Sequence, residues 1–171
     1  MDLDPITLLN VLILALDFTV IQLILVFFLL LCSAIISGSE VAFFSLQIKS
    51  LEDPEDSEIT PAIQRVISLL KTPKRLLATI LVANNFINIA IVLLFSSISK
   101  IYFEPIENPI VLLIVEVGII TTLILIFGEI LPKIYANRNA LAFSIKIAPM
   151  IRSFIFFNTQ NVFIITKNFI I

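Results

Sequence analysis

Three groups of oxygen-bearing residues interrupt long apolar stretches of this sequence, where polar side chains are costly and mark functional sites. Each group lies in a different apolar stretch. The groups are Ser33, Ser37, Ser39 and Glu40 with Gly38; Asn84 and Asn88; and Glu129 with Gly128 and Pro132. Hydroxyl, amide and carboxylate oxygens are hard donors that suit Mg²⁺ or Na⁺ better than soft-ligand transition metals. The residue types therefore predict a binding site for a hard cation.

The spacing of these residues predicts that they face one another. Ser33 with Ser37, and Asn84 with Asn88, are pairs four residues apart that share one helical face. Pro132 has no N–H, so the carbonyl four residues earlier, that of Gly128, is expected to be free for a ligand. Gly38 is a second soft point, where the first helix is expected to be locally broken. Counted along the helices, the three groups meet in the inner half of a membrane.

Two acidic residues, Glu129 and Glu116, lie at different depths in the third apolar stretch. Glu129 supplies the charge that makes a divalent cation plausible, and without a cation we expect it to carry a proton or to pair with a base such as Lys133. Glu116 lies 13 residues earlier, about 20 Å away along a helix, so it is not included in the site. It marks either the mouth of a pathway or a contact between helices.

Structural roles remain open for the same polar residues. Membrane serines often bond to their own helix or join neighbouring helices, and small residues such as Gly38 allow close packing. The asparagines could form an interhelical hydrogen bond, and Glu40 could extend to the membrane surface. The three groups at one depth on three helices favour the cation site over these alternatives.

The elements that would position these residues are three membrane-spanning helices. Hydrophobic residues make up 59% and charged residues 14% of the 171-residue chain, against about 45–50% and about 25% in soluble domains. Apolar segments at 18–44, 76–97 and 110–131 each reach the roughly 20 residues that a spanning helix needs. We therefore predict an all-α membrane protein with three transmembrane helices plus a C-terminal juxtamembrane helix.

The predicted organisation has three parts. Residues 1–17 form an extracellular or interfacial segment, residues 18–139 the three-helix transmembrane domain, and residues 140–171 a juxtamembrane helical segment. The cytoplasmic connection at 47–75 contains an acidic run at 52–58, which we interpret as a solvated loop. Thr60 before Pro61, and Thr72 before Pro73, predict two helix starts in this connection.

The distribution of Lys and Arg predicts the orientation of the chain. The connection at 47–75 and the segment after the third span are rich in these residues, whereas Lys100 alone lies between the second and third spans. The positive-inside rule then places the N-terminus outside and the C-terminus in the cytoplasm. The acidic start lacks the basic region of a signal peptide, so we expect it to belong to the mature protein.

Several function classes are disfavoured by composition. A net charge of −2 gives no electrostatic basis for nucleic-acid binding. The sequence has no histidine, so histidine-dependent catalysis and His-ligated metals lose their usual residues. Cys32 is the single cysteine and is expected to be a buried, inert thiol. We expect no enzymatic activity.

Four segments resemble the transmembrane domain of the CorC and cyclin M (CNNM) family of divalent-metal transporters. They are SAIISGSEVAFFSL, LLATILVANNFIN, FGEILPK and NRNALAFSIKIAPMIR. The resemblance implies ion ligands at Ser33, Ser37, Asn84, Gly128 and Glu129, with Asn88 and Pro132 shaping the site. Ser39 and Glu40 match the bacterial branch of the motif. The acidic start is also similar to that of gliding-motility-associated members.

The same resemblance implies a function and partners. It implies a homodimer in the bacterial inner membrane that exports Mg²⁺, exchanged against Na⁺. Family members continue into paired nucleotide-binding CBS modules, so we expect the chain to be part of a longer protein. The alternative hypothesis is a membrane anchor or dimerisation module for a cytoplasmic regulatory or motility partner, in which the polar groups only pack helices together.

Overall fold

The computed structural model describes the backbone of residues 4–52, 59–102, 106 and 108–169, and the side chains of 4, 18–52, 59–99, 106 and 108–155. These residues form helices and connecting turns, with no strand among them. The α-helices are α1 (Pro5–Phe44), α2 (Ile48–Glu52), α3 (Pro61–Leu70), α4 (Pro73–Tyr102), α5 (Pro109–Leu123), α6 (Leu131–Arg138) and α7 (Ala140–Phe169). A π-helical segment, Ile124–Ile130, joins α5 to α6 without a break. The predicted all-α fold is confirmed.

Within the described residues, three helical stretches are long and apolar enough to cross a membrane. They are Phe18–Phe44 in α1, Pro73–Ser99 in α4, and Pro109–Arg138, which combines α5, the π-helical segment and α6. Their lengths are 27, 27 and 30 residues, more than the roughly 20 that a crossing requires. The chain is therefore an integral membrane protein, and the three predicted spans are confirmed.

Helix α1 is unbroken from Pro5 to Phe44, so the expected break at Gly38 is wrong. The glycine is needed for packing instead. A Cβ on Gly38 would lie 3.0 Å from Cζ of Phe143 and 3.4 Å from the carbonyl oxygen of Pro132. The close approach of α6 and α7 explains this glycine without any change in the α1 backbone. The assignment of residues 1–17 to an interfacial segment stays a prediction.

The connection between the first two spans contains the short helices α2 and α3. Thr60 caps α3, because its side chain accepts a hydrogen bond from the Ile63 N–H at 3.4 Å, and Pro61 follows as predicted. Helix α4 also begins at the predicted Pro73, but Thr72 donates its hydroxyl to the Leu69 carbonyl at 3.3 Å. Of the acidic run, Glu52 pairs with Lys71, while residues 53–58 lie outside the described residues.

Two apolar clusters hold the spans together at different depths. One joins α1, α3, α4 and α7 through a group that includes Ile36, Phe43, Val66, Leu76, Ile80 and Ile151. The other joins α1, α4, α5 and the π-helical segment through Val26, Ile91, Ile98, Ile120 and Ile124. Along the first and second spans, the predicted polar groups lie between members of the two clusters, and on the third span they follow Ile120 and Ile124 of the second cluster. Packed apolar side chains therefore lie next to the polar groups along the helices.

Helix α7 follows α6 directly and folds back towards the connection between the first two spans. It packs against α3, α1 and α4, and its Ala148 and Ile151 are buried in the first apolar cluster. Pro149 lies inside the helix. These contacts place the first half of α7 beside the ends of the spans, as expected for a juxtamembrane helix.

Candidate functional site

Ser33 is the centre of a hydrogen-bonded cluster that joins the first two spans. Its hydroxyl donates to Oδ1 of Asn88 at 2.7 Å and lies 3.3 Å from Oδ1 of Asn84. Since a hydroxyl has one proton, the shorter contact to Asn88 is the stronger bond. Ser33 is fully buried. The i, i+4 spacing that predicted one polar face on α4 therefore corresponds to two amide oxygens directed at one serine.

Asn88 extends this cluster to the third span. Its Nδ2 donates to Oε1 of Glu129 at 3.2 Å, while its Oδ1 accepts from Ser33. Ser33, Asn88 and Glu129 thus form a continuous chain of hydrogen bonds across three helices. The predicted convergence of these residues is found in the structure. Asn88, expected only to shape the site, is the residue that connects its two ends.

Gly128 lies directly against Ser33. A Cβ at Gly128 would fall 3.0 Å from Oγ and 3.5 Å from Cβ of Ser33, closer than a side chain tolerates without displacing its neighbour. Glycine therefore allows the backbone of the third span to approach the hydroxyl of the first. This close approach brings the main chain of the third span next to the polar cluster.

The backbone around Gly128 is π-helical, which the sequence did not predict. Leu131 donates its N–H to the Ile126 carbonyl, five residues back. The next donor along the helix would be Pro132, which has none. If the π-helical register continues, Pro132 leaves the Phe127 carbonyl without its hydrogen bond. If the α-helical register resumes, it leaves the Gly128 carbonyl without one. Pro132 therefore frees a carbonyl at this level, and π-helical segments are frequent at functional sites.

Ser37 lies one turn from Ser33, and its hydroxyl has no hydrogen-bond partner among the described residues. Only 1% of the residue is exposed. A buried polar group without a partner costs about 1–3 kcal/mol, and a ligand bound at this oxygen would remove that cost; the Ser144 hydroxyl, on α7, is also buried without a partner among the described residues. Ser37 is the member of the predicted site whose oxygen is most clearly available.

Ser39 and Glu40 are directed away from the cluster. Ser39 is buried and donates to the carbonyl of Ile36 in its own helix at 2.6 Å. Glu40 forms an ion pair with Lys133 at 3.1 Å, so Lys133 does not form the expected pair with Glu129. The pair borders an open depression of about 440 Å³ lined by Glu40, Val41, Phe44, Ser45, Leu77 and Lys133. Glu40 is therefore placed beside the site rather than in it.

The cluster is suited to a hard cation by its oxygen atoms. It offers hydroxyls from Ser33 and Ser37, amide oxygens from α4, a freed carbonyl near Gly128 and one carboxylate, Glu129. Within the described part of the chain, no three His, Cys, Asp or Glu residues are grouped as a metal site. A cation held here would take most of its ligands from neutral oxygens, as Mg²⁺ and Na⁺ can.

Three apolar spans joined by a partly buried, oxygen-rich cluster define an integral membrane protein. The family model of the cyclin M transmembrane N-terminal domain matches residues 24–169, which include all of the polar cluster. The chain belongs to this family, which is associated with Mg²⁺ transport. The resemblance in the four sequence segments is thereby confirmed. A comparison with curated proteins found no significant match.

Proposed function

We propose that this chain transports Mg²⁺ across the bacterial inner membrane, as a Na⁺-coupled exporter. The proposed ligands are Ser33, Ser37, Asn84, Gly128 and Glu129. The observation that carries the proposal is the Ser37 hydroxyl, which is buried without a partner one turn from a cluster drawn from three spans. Membership of a family associated with Mg²⁺ transport supports the choice of ion.

Mg²⁺ requires a rigid arrangement of oxygens, because it binds at about 2.0–2.1 Å and gives up water reluctantly. In the proposed site, Gly128 allows the third span close to Ser33. Asn88 positions Glu129 by donating to its carboxylate. Binding would redirect the Ser33 hydroxyl and an asparagine amide towards the cation. The ion would then exchange part of its water shell for protein oxygens that already lie within one cluster.

The proposed orientation places the N-terminus outside and α3 and α7 at the cytoplasmic side. Lys and Arg are concentrated in the connection at 47–75 and after the third span. The Glu40–Lys133 pair would then lie on the cytoplasmic side of the cluster. We further propose that two copies associate as a homodimer in the lipid bilayer, and that CBS-type domains regulate the complex from the cytoplasm.

Coupling to Na⁺ would use the same oxygen ligands as Mg²⁺. Na⁺ is also a hard cation, and it can use the same hydroxyl and amide oxygens at lower charge. Export by alternating access would let the cluster bind Mg²⁺ from the cytoplasm and Na⁺ from outside. The chain would act as a carrier with no enzymatic step.

The proposal is tested by Mg²⁺ flux in proteoliposomes containing the full chain. Ser37→Ala and Glu129→Gln should abolish flux and the stabilisation by Mg²⁺ that ligand binding produces. The matched control is Thr122→Ala, which removes a hydroxyl that donates to its own helix at Gly118 and is exposed. This control should transport normally. Unchanged flux in both site variants would refute the proposed ligands.

The anchor or dimerisation alternative predicts a different result. In that case the polar cluster serves helix packing alone, so Mg²⁺ should neither stabilise the protein nor cross the membrane. Ser37→Ala would then be neutral or stabilising, because it removes a buried hydroxyl without a partner.

A further inference from the structure

The three spans carry a second level of buried polar residues, beyond the Ser33 cluster and further from α7. Its members are Gln22 on α1, Ser99 on α4 and Glu116 on α5, with exposures of 8%, 2% and 9%. They lie 11 or 12 residues from Ser33, Asn88 and Gly128 respectively. At about 1.5 Å per residue, each is about 17 Å from the first cluster. Polar groups thus recur at matching depth on all three spans.

Two separate hydrogen bonds link neighbouring helices at this level. Gln22 Nε2 donates to the Ser97 hydroxyl at 3.2 Å, which joins α1 to α4. The Ser99 hydroxyl contacts Oε1 of Glu116, which joins α4 to α5. We call Gln22, Ser99 and Glu116 the second polar level.

An apolar layer separates the two polar levels. Val26, Ile91, Ile120 and Ile124 are all buried and belong to one packed cluster. On each span they lie between the residue of the Ser33 cluster and the residue of the second polar level. The buried side of the bundle therefore changes from polar to apolar and back to polar across the membrane. A cation moving outward from the Ser33 cluster would pass this apolar layer and next meet Glu116.

Glu116 has the properties of a ligand rather than of a simple packing residue. Among the described residues it has no ion pair, although it is an ionisable group within a span. Such groups mark ion pathways in membrane proteins. Ser99 Oγ also lies 3.1 Å from the Ser96 carbonyl oxygen. The Ser99 hydroxyl therefore contacts both a carboxylate and a carbonyl oxygen, and all three oxygen types can bind a hard cation.

We propose that Glu116 and Ser99 form a second binding site for a hard cation, between the Ser33 cluster and the proposed outer surface. This inference rests on the proposed function as a cation transporter. The cation could be Mg²⁺ on its way out or Na⁺ on its way in, because both bind such oxygens. The second polar level would bind the cation after it has crossed the apolar layer.

The test measures cation binding in a protein that lacks the first site. In full-length Ser37→Ala/Glu129→Gln protein, Mg²⁺ and Na⁺ are added separately at constant ionic strength and Tm is recorded. We expect an upward shift in Tm from one of these ions, lost when Glu116→Gln is added. Gln is close in shape to Glu and can keep a hydrogen bond to Ser99. If Glu116 only packs the helices together, Glu116→Gln should leave the cation-induced shift in Tm unchanged. Val117→Ala, at an exposed neighbour, is the control and should retain the shift.

The outcomes separate the two proposals. A shift with Mg²⁺ assigns the second site to the exported ion, and a shift with Na⁺ alone assigns it to the counter-ion. No shift with either ion, or a shift unaffected by both Glu116→Gln and Ser99→Ala, overturns the second site even if the wild-type protein transports Mg²⁺. If Glu116→Gln does not fold, Ser99→Ala takes its place in the Tm measurement, because it removes one proposed ligand oxygen and keeps the Glu116 carboxylate. Absence of Mg²⁺ flux in wild type refutes the proposed function, while the Tm shifts still decide on the second site.

Discussion

The Cβ that Gly128 lacks would lie 3.0 Å from Oγ of Ser33. This distance is shorter than ordinary contacts, and the atom in the way belongs to the hydroxyl that bonds Asn88. The absence of one methyl group on the third span therefore allows the cluster to assemble on the first.

Gly128→Ala should disrupt both packing and function. The added methyl forces Ser33 or the third span to move, and overpacking of this kind costs about 1–3 kcal/mol. We expect a lower Tm and loss of Mg²⁺ flux. Gly118→Ala is the matched control, because no atom lies within 4 Å of a Cβ there. It should be neutral or stabilise the helix by about 0.5–1 kcal/mol. Equal behaviour of the two variants would contradict the close approach.

Asn88→Ala should weaken Mg²⁺ binding although it leaves all five proposed ligands in place. The change removes the hydrogen bonds that hold Ser33 and the Glu129 carboxylate. Bonds to charged groups contribute about 1.5–3 kcal/mol, so we expect the Kd to rise about 10- to 100-fold. The measurement is the dependence of Tm on Mg²⁺ concentration. Asn85→Ala, at an exposed position on the same helix, should bind as wild type does. A Kd in Asn88→Ala within about twofold of wild type would exclude a positioning role.

The Glu40–Lys133 pair should affect cation uptake more than stability. Both side chains are about one-third exposed, and such pairs contribute about 0–1 kcal/mol after solvent screening. Lys133→Met frees the Glu40 charge and should lower the KM for Mg²⁺, whereas Glu40→Gln should raise it. Flux at varied Mg²⁺ concentration checks this. If both variants move KM in the same direction, the pair does not act through its charge.

Gly38→Ala should destabilise the protein at the contact between α1 and α7, where Gly38 packs against the ring of Phe143. A Cβ at Gly38 meets Cζ of Phe143 at 3.0 Å, so the variant should lose about 1–3 kcal/mol of stability. In a Phe143→Leu background, which shortens the side chain, most of this loss should disappear. A double-mutant cycle of unfolding free energies measures the coupling. Additive effects would show that the two residues do not press on each other.

Much of the fold could be predicted because membrane helices are determined by length and hydropathy. The three spans follow from this constraint, and Pro61 and Pro73 identify two helix starts. The meeting of Ser33 with Asn84 and Asn88 follows from helical periodicity once three helices are assumed. These features depend on local sequence and on the thickness of the membrane.

The remaining features depend on contacts between distant residues. Gly38 is equally compatible with a broken helix and with close packing, and only the position of Phe143 decides between them. Pro132 predicts a missing hydrogen bond, but the π register that precedes it depends on the Leu131–Ile126 bond. Lys133 could reach a carboxylate on either of two helices, and it pairs with Glu40 rather than Glu129. The role of the cluster in cation binding stays a prediction.

The apolar layer of Val26, Ile91, Ile120 and Ile124 also has an electrical consequence. A membrane voltage falls mostly across weakly polarisable parts of its path, and this layer is an apolar part of the bundle's buried side. Moving one elementary charge through the full voltage involves about 2.3 kcal/mol per 100 mV. In the proposed transport cycle, the step that carries a cation past these four side chains should therefore depend on the membrane potential.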